Sequence, residues 1–394
     1  MDNRRSVFFA NLAQTSPDPP AWEIVRGKGS YVFDKDGKQF IDLISGISVS
    51  NLGHRNTKIH EAIVKQSDEH LHLMVFGEYL IPIQTILAER LAGFLPPQLQ
   101  SIYLTNSGAE ATEGAMKLAK RYTGRSKFIS FKNAYHGSTQ GALSICGNEK
   151  LKNSFRPLLP CCQVIDYNST DQLSFIDNDT AAVFAEVIQA ESGIRQPDRN
   201  YLSALRKRCT ETGTLLVYDE IQTGMGRTGS LFAFEQTGTV PDILLLGKAF
   251  GGGLPLGAFI SSKEIMSVLM SNPVLGHMTT TGGHPLSCAA AIASLQIITE
   301  ENLLQGVLEK EKQIISQLRH KRIKSIRGKG LFFAIEFDNE VINKKIIQRC
   351  FEKGILTDWF LFAPQCLRIA PPLIIEQEEL ERACNWIVEA IDEI

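Results

Sequence analysis

Lys248 interrupts an otherwise apolar run, Asp242-Ile-Leu-Leu-Leu-Gly247-Lys248-Ala249-Phe250, and three glycines, Gly251 to Gly253, follow it. Such a lysine faces water or lines a pocket, because burying an unpaired ammonium is costly and depresses its pKa. As a neutral amine it attacks carbonyl carbon and forms Schiff bases. The glycines permit tight turning or close approach of backbone to a planar ligand. A second segment, Leu215-Leu-Val-Tyr218-Asp219-Glu220, sets a carboxylate just beyond an apolar strand, at the sheet edge where α/β folds bind ligands. Alone, Asp219 reads equally as a helix cap or a metal ligand. A third, Thr105-Asn106-Ser107-Gly108-Ala109-Glu110, runs from a strand end into a helix. Free N–H groups of the first turn and the Ser107 hydroxyl make a phosphate cradle. Ser-Gly before a helix is also an ordinary cap, and the spacing is neither a P-loop nor a dinucleotide fingerprint.

A phosphate cradle, a strand-end aspartate and a pocket lysine, in that order, point together to pyridoxal 5′-phosphate. An aspartate opposite the pyridine nitrogen is the natural companion of a lysine that forms a Schiff base. The run Asp219-Glu-Ile-Gln-Thr-Gly-Met-Gly-Arg-Thr-Gly229, with Lys248 following 29 residues after Asp219, resembles the class III aminotransferases of fold type I. The likeness is nearest to the ornithine and acetylornithine group and extends over about residues 20–390. It implies that Lys248 holds the cofactor as a Schiff base and, once freed, moves the proton between substrate Cα and cofactor C4′. Asp219 would keep the ring nitrogen protonated. Ser107, Gly108 and Ala109 match the phosphate-binding segment. Tyr135 matches the aromatic on one ring face, Ile221 the packing on the other, and Gln222 a residue near O3′. Thr280, in Met278-Thr-Thr280-Thr-Gly-Gly283, matches a threonine that reaches the neighbouring subunit's phosphate. A homodimer with shared sites, alone or within a tetramer, is therefore implied.

The same resemblance shows where this chain departs. The ornithine and acetylornithine enzymes use an arginine after the glycine of an aromatic-x-Gly-Arg motif to grip a substrate carboxylate. Here the run is Tyr135-His136-Gly137-Ser138. A hydroxyl cannot replace a planar, five-donor cation. Arg368, in Cys366-Leu-Arg368-Ile-Ala-Pro-Pro372, matches the arginine that holds an α-carboxylate, and Glu191 the glutamate that pairs with it when another substrate is bound. Val187 and Ala190 stand where the family has proline and glycine, so a less tightly specified backbone is expected there. Ile47 stands where the ornithine enzyme has a tyrosine and favours an uncharged or longer side chain. His136 reads as a substrate contact or a loop anchor, and His54 as a fold support.

The elements that must position these residues follow from the pattern. From about residue 85 to 260, apolar runs alternate with helical ones: strands at Ile102–Thr105, Lys127–Phe131, Ala181–Glu186, Leu215–Tyr218 and Ile243–Leu246, and helices at Ala109–Tyr122 and Tyr201–Thr212. Continuous apolar strands with helical crossovers imply a mostly parallel sheet covered on both faces. Tyr31–Phe33 and Gln39–Asp42, separated by Asp34-Lys-Asp-Gly37, read as a hairpin. Beyond about 283 come two long helices, a strand over Gly330–Phe337, and helices over Val341–Glu352 and Glu376–Ile391. The expected fold is α/β, with a seven-stranded-type sheet in a large domain (46–282) and an α+β small domain (283–394) joined by an N-terminal arm (1–45).

Composition narrows the classes further. With 394 residues, 41 Lys plus Arg and 43 Asp plus Glu, the formal charge of −2 offers no global field for nucleic acid. No stretch has the ~18 uncharged apolar residues of a membrane span. The start, MDNRRSVFFANLAQ, holds two arginines and a short apolar patch without a clear cleavage site, so a cytoplasmic location is expected. Eight cysteines in neither CxxC pairs nor zinc spacing read as reduced, mostly buried thiols, and no metal site is expected. The leading function is transfer of an amino group from an amino acid or ω-amine to a 2-oxo acid, 2-oxoglutarate or pyruvate, in two ping-pong half-reactions. Acetylornithine or ornithine aminotransfer proper, an aminomutase or decarboxylase on the same fold, and a non-catalytic binding protein are the alternatives.

Overall fold

The computed structural model describes residues 4–394; Met1–Asn3, the start of the arginine-bearing N-terminal stretch, lie outside them. A seven-stranded sheet runs in the order Ser101–Thr105, Gly257–Ser261, Ile243–Leu246, Leu215–Asp219, Thr180–Glu186, Lys127–Phe131, Cys162–Ile165. Gly257–Ser261 is antiparallel to both its neighbours, and the remaining pairs are parallel. The central strands Thr180–Glu186 and Leu215–Asp219 are buried at every position, which is why their sequences are unbroken apolar runs.

Helix Gly108–Thr123 covers one face of this sheet. Ser107 caps its start through Oγ, and Gly124 ends it at φ 70°. Its buried side chains are mostly small, Ala111, Ala115 and Ala119 among them. At Gly114 a Cβ would come within 2.3 Å of the Phe259 ring, so glycine is what lets the helix sit directly on the sheet. Helix Pro285–Glu300 packs against Thr57–Glu69 and Pro82–Gly93, two helices that periodicity did not pick out.

Two smaller sheets flank this core. Ser325–Gly328, Phe333–Glu336, Ala363–Ile369 and Trp359–Phe360 form an antiparallel sheet covered by Leu303–Gln317, Glu340–Lys353 and Gln377–Asp392. The second is made by Ile24–Lys28, Tyr31–Asp34 and Gln39–Asp42, with Ile355–Leu356 adding in parallel to the third strand. Asp42 secures this corner: its Oδ2 is 2.8 Å from His54 Nε2 and its Oδ1 accepts the N–H groups of Ile44 and Ser45. The strand expected over Gly330–Phe337 is only Phe333–Glu336, because Gly330 at φ 62° belongs to a turn packed on the Arg227–Thr228 backbone.

All eight cysteines are free and six are buried. Among the described residues no helix is long and apolar enough to cross a membrane, and no cluster of side chains could hold a metal ion.

Candidate active site

Three strands of the large sheet end at one place, each with a residue of chemical use. Asp219 closes Leu215–Asp219, Glu186 closes Thr180–Glu186 and is its register partner, and Lys248 follows Ile243–Leu246 by two residues. They border a cavity of about 290 Å³, whose wall also includes Gly108, Ala109, Tyr135 and Ile221. A larger hollow of about 860 Å³ lies between the N-terminal helix and the first strands, beside none of these groups.

Lys248 holds a left-handed backbone, φ 48°, in a short 3₁₀ turn over Lys248–Gly251. For a residue with a Cβ this conformation costs on the order of 1–3 kcal/mol. Burial pushes its amine down to about 8, while the Glu191 and Asp219 carboxylates limit the fall. Of the two uses open to the glycines after it, the structure shows tight turning. They do not line the cavity: a Cβ on Gly252, at φ 60°, would strike the Ala290 carbonyl at 2.7 Å, so this turn is pressed against helix Pro285–Glu300 instead.

Asp219 and His136 are both buried, and His136 Nδ1 lies 2.7 Å from Asp219 Oδ2. Burial opposes a charge on His136, but the hydrogen bond and the charge of Asp219 outweigh it and raise the imidazole pKa. His136 Nε2 has no partner among the described residues. Asp219 Oδ1 accepts the N–H of Ile221, two residues on. Glu186 accepts the N–H of Tyr135 at 3.0 Å and of Ala190 at 2.8 Å; burial raises its carboxyl to about 7, with His136 opposing. Glu186, Ile188 and Thr223 on the cavity wall were not anticipated. An acidic residue closing an apolar strand was the signal for Glu186, the same signal that revealed Asp219.

At the other end of the cavity, Ser107 Oγ accepts the Glu110 N–H and the Ser107 carbonyl accepts that of Ala111. The N–H groups of Gly108 and Ala109 have no intrahelical acceptor, as in any first turn. A Cβ at Gly108 would sit 2.7 Å from Ile221 Cδ1, so a side chain there would fill the cradle. Helix N-terminus, depressed lysine, buried carboxylate and aromatic wall fit the phosphate, aldehyde and ring nitrogen of pyridoxal phosphate. Thr280 is exposed and off this wall; its neighbours Thr279 and Thr281 bond Asn106, next to Ser107. Ile47 is also off the wall, at φ 61° in a Ser45–Ser48 turn packed on Lys248–Gly251.

Ser138 is exposed on the wall, its hydroxyl 2.9 Å from Tyr135 Oη. Arg368 and Glu191 lie behind Gln222 rather than on the wall. Glu191 receives Arg368 Nη1 and Nη2 at 3.2 Å, Gln222 Nε2 at 3.0 Å and the Leu361 N–H at 3.0 Å. Burial works against this charge, but Arg368, the Leu361 N–H and Gln222 together offset it and the carboxyl stays below its ordinary range. Arg368 Nε donates to Asp358 Oδ1 at 2.8 Å, and its guanidinium lies 4.3 Å from the Phe360 ring centroid. Asp358 gave no sign in the sequence; pairing of Trp359–Phe360 with Ala363–Ile369 brings it round to Arg368. The segment with Val187 and Ala190, expected to be loosely specified, is tightly held: Gln189 and Arg195 exchange two backbone bonds of 2.9 Å.

Residues 13–391 match the family model described as aminotransferase class-III. The chain is 39% identical over 383 residues to the acetylornithine aminotransferase of Methanocaldococcus jannaschii, spanning 94% of each. It is 38% identical over 385 residues to that of Caldanaerobacter subterraneus, spanning 94% of this chain and 95% of the relative. The ornithine aminotransferase of Toxoplasma gondii, solved with partial occupancy of pyridoxal phosphate, superposes with a TM-score of 0.92 at 31% identity, over 99% of this chain and 94% of that one. The chain belongs to the class III aminotransferases. It is a fold type I enzyme that depends on pyridoxal phosphate and transfers amino groups.

Proposed function

We propose that Lys248 carries the cofactor and serves as the proton carrier of amino transfer, from an amino acid or ω-amine to a 2-oxo acid. When bound, pyridoxal phosphate supplies an aldehyde for the amine and a ring that accepts the electrons of a substrate carbanion. The observation that carries this reading is the depressed Lys248 amine facing Asp219 across one cavity. At neutral pH a lysine near 8 is neutral in a useful fraction and able both to attack a carbonyl and to accept a proton. Asp219, oriented by His136, holds a proton on the ring nitrogen. Gly108 and Ala109 N–H groups, with the Ser107 hydroxyl, bind the phosphate. Tyr135 and Ile221 flank the ring, and Gln222 lies toward O3′. Thr280, exposed on its loop, reaches a second copy's phosphate, which makes the homodimer the working unit.

Arg368 binds the α-carboxylate of an amino acid or 2-oxo acid, and Glu191 takes its place when an amine end occupies the site. The division at about residues 46 and 283 and a cytoplasmic location belong to the same reading. Borohydride reduction of the loaded enzyme, followed by peptide mass mapping, tests it: the cofactor should be fixed on Lys248, and attachment to any other lysine would refute the assignment.

A further inference from the structure

The charges around the cavity leave room for one substrate carboxylate. Arg368 already carries two carboxylates, Glu191 on its Nη atoms and Asp358 on Nε, so the three groups together sum to −1. Asp358 is also tied by the backbone, its carbonyl accepting the Arg368 N–H at 2.9 Å. Glu191, which also accepts the Leu361 N–H, is the partner exchanged on this reading: a substrate carboxylate keeps the sum at −1 where the Glu191 carboxylate turns away from the guanidinium. Among the described residues of this chain, the cavity wall offers a second carboxylate no such place. The ionisable groups on the cavity wall are Glu186, Asp219, His136 and Lys248, apart from the Tyr135 phenol, and Asp219 already engages His136. On the same wall, Tyr135 and Ser138 present two hydroxyls bonded to each other. Such a pair gives an anion hydrogen bonds but no opposite charge, and a carboxylate without one is disfavoured near Glu186 and Asp219.

From this arrangement we infer that the acceptor is a 2-oxo acid with a single carboxylate, of the size of pyruvate or 2-oxobutyrate, and that neither substrate has an anionic far end. The inference rests on Arg368 being the α-carboxylate site. In the overall exchange the donor's amine-bearing carbon becomes a carbonyl and the acceptor's carbonyl carbon becomes amine-bearing. One water enters and one leaves, and no outside oxidant is used.

The test uses the holoenzyme loaded with the amino group by excess donor and mixed with single acceptors, with return of the starting absorbance as the signal. Pyruvate and 2-oxobutyrate should react roughly 10- to 100-fold faster, as second-order rates, than 2-oxoglutarate, the range expected for one charged hydrogen-bonding partner. Calorimetry on the resting holoenzyme, with no turnover, should show propionate binding more tightly than glutarate. The exposed Ser138→Arg variant should narrow the preference to within about tenfold by supplying the missing cation. Equal or better use of 2-oxoglutarate, or equal binding of glutarate, overturns the inference while leaving Arg368 in its role. Unchanged selectivity in Ser138→Arg overturns the part given to this wall. Failure of every 2-oxo acid overturns the inference together with the reading of Arg368 beneath it.

Discussion

Two buried clusters of charge lie within this molecule and are built in opposite ways. Around Lys248, the groups open onto a cavity, and burial moves the amine and Glu186 toward neutrality, to about 8 and about 7. Around Arg368 nothing opens: the guanidinium is sealed by Glu191, Asp358 and the Trp359 carbonyl, and its charge is kept. In the function proposed above, the first cluster exchanges protons and the second exchanges partners. A lysine can shed its charge when desolvated, whereas Arg368 keeps its charge through the two carboxylates bonded to it. On that reading chemistry and selectivity occupy separate clusters, joined through Gln222, which touches both Glu191 and Arg368 and lines the cavity.

Removing the centre of each cluster separates them most sharply. Lys248→Ala should lower turnover by about three orders of magnitude or more while phosphate-dependent cofactor binding persists, checked by single-turnover kinetics and equilibrium dialysis. Arg368→Ala leaves Glu191 and Asp358 buried without their cation. It should cost about 3–5 kcal/mol of stability, read in urea unfolding, and raise the apparent KM for 2-oxo acids far more than for simple amines. A uniform fall in kcat with unchanged KM would contradict the division between the clusters.

A smaller effect is expected at the orienting histidine. His136→Phe removes the 2.7 Å contact to Asp219 and should weaken cofactor binding by about 1–3 kcal/mol, through loss of a charge-assisted hydrogen bond. His136→Gln should recover part of it, which loss of packing alone would not explain.

The mildest perturbation is pH, and the clusters should respond with opposite signs. Lys248, near 8 when folded against an ordinary 10.5, binds its proton less tightly than the unfolded chain does. Its contribution to apo-protein stability therefore rises with pH between those values, and cofactor capture should accelerate up to about pH 8 and then level. Asp358 is raised by burial to about 6 from 3.8, despite Arg368. It holds its proton more tightly when folded, so its contribution falls as pH rises from about 4 through 6. The gap between the melting curves of the parent and Asp358→Asn should change across that lower window and stay constant above it, and curves parallel through the window would remove Asp358 from the second cluster.

Much of the first cluster was legible along the chain because each residue follows directly from a strand. An apolar run of four residues must end at the sheet edge, so Asp219 and Lys248 could be placed from local pattern. Glu186 carried the same mark at the end of Ala181–Glu186, yet only strand order makes it the neighbour of Asp219. The antiparallel strand Gly257–Ser261 was missed because an apolar run shows no direction; its antiparallel pairing is settled by contacts with Ser101–Thr105 and Ile243–Leu246. The second cluster was legible only in part. Arg368 and Glu191 stood in recognisable runs, whereas Asp358 reaches the arginine through a bulged pairing.

The amino-acid sequence by itself determined the chemistry of this protein, since a lysine, an aspartate and a helix start must each lie where their strands end. Tertiary structure alone decided how those charges are shared. His136 is committed to Asp219, 83 residues on, and Arg368 to two carboxylates, 177 and 10 residues distant in the chain. Partners so far apart leave no periodic trace, because desolvation and ion pairing depend on separation in space and on access to water, which only the packed chain defines.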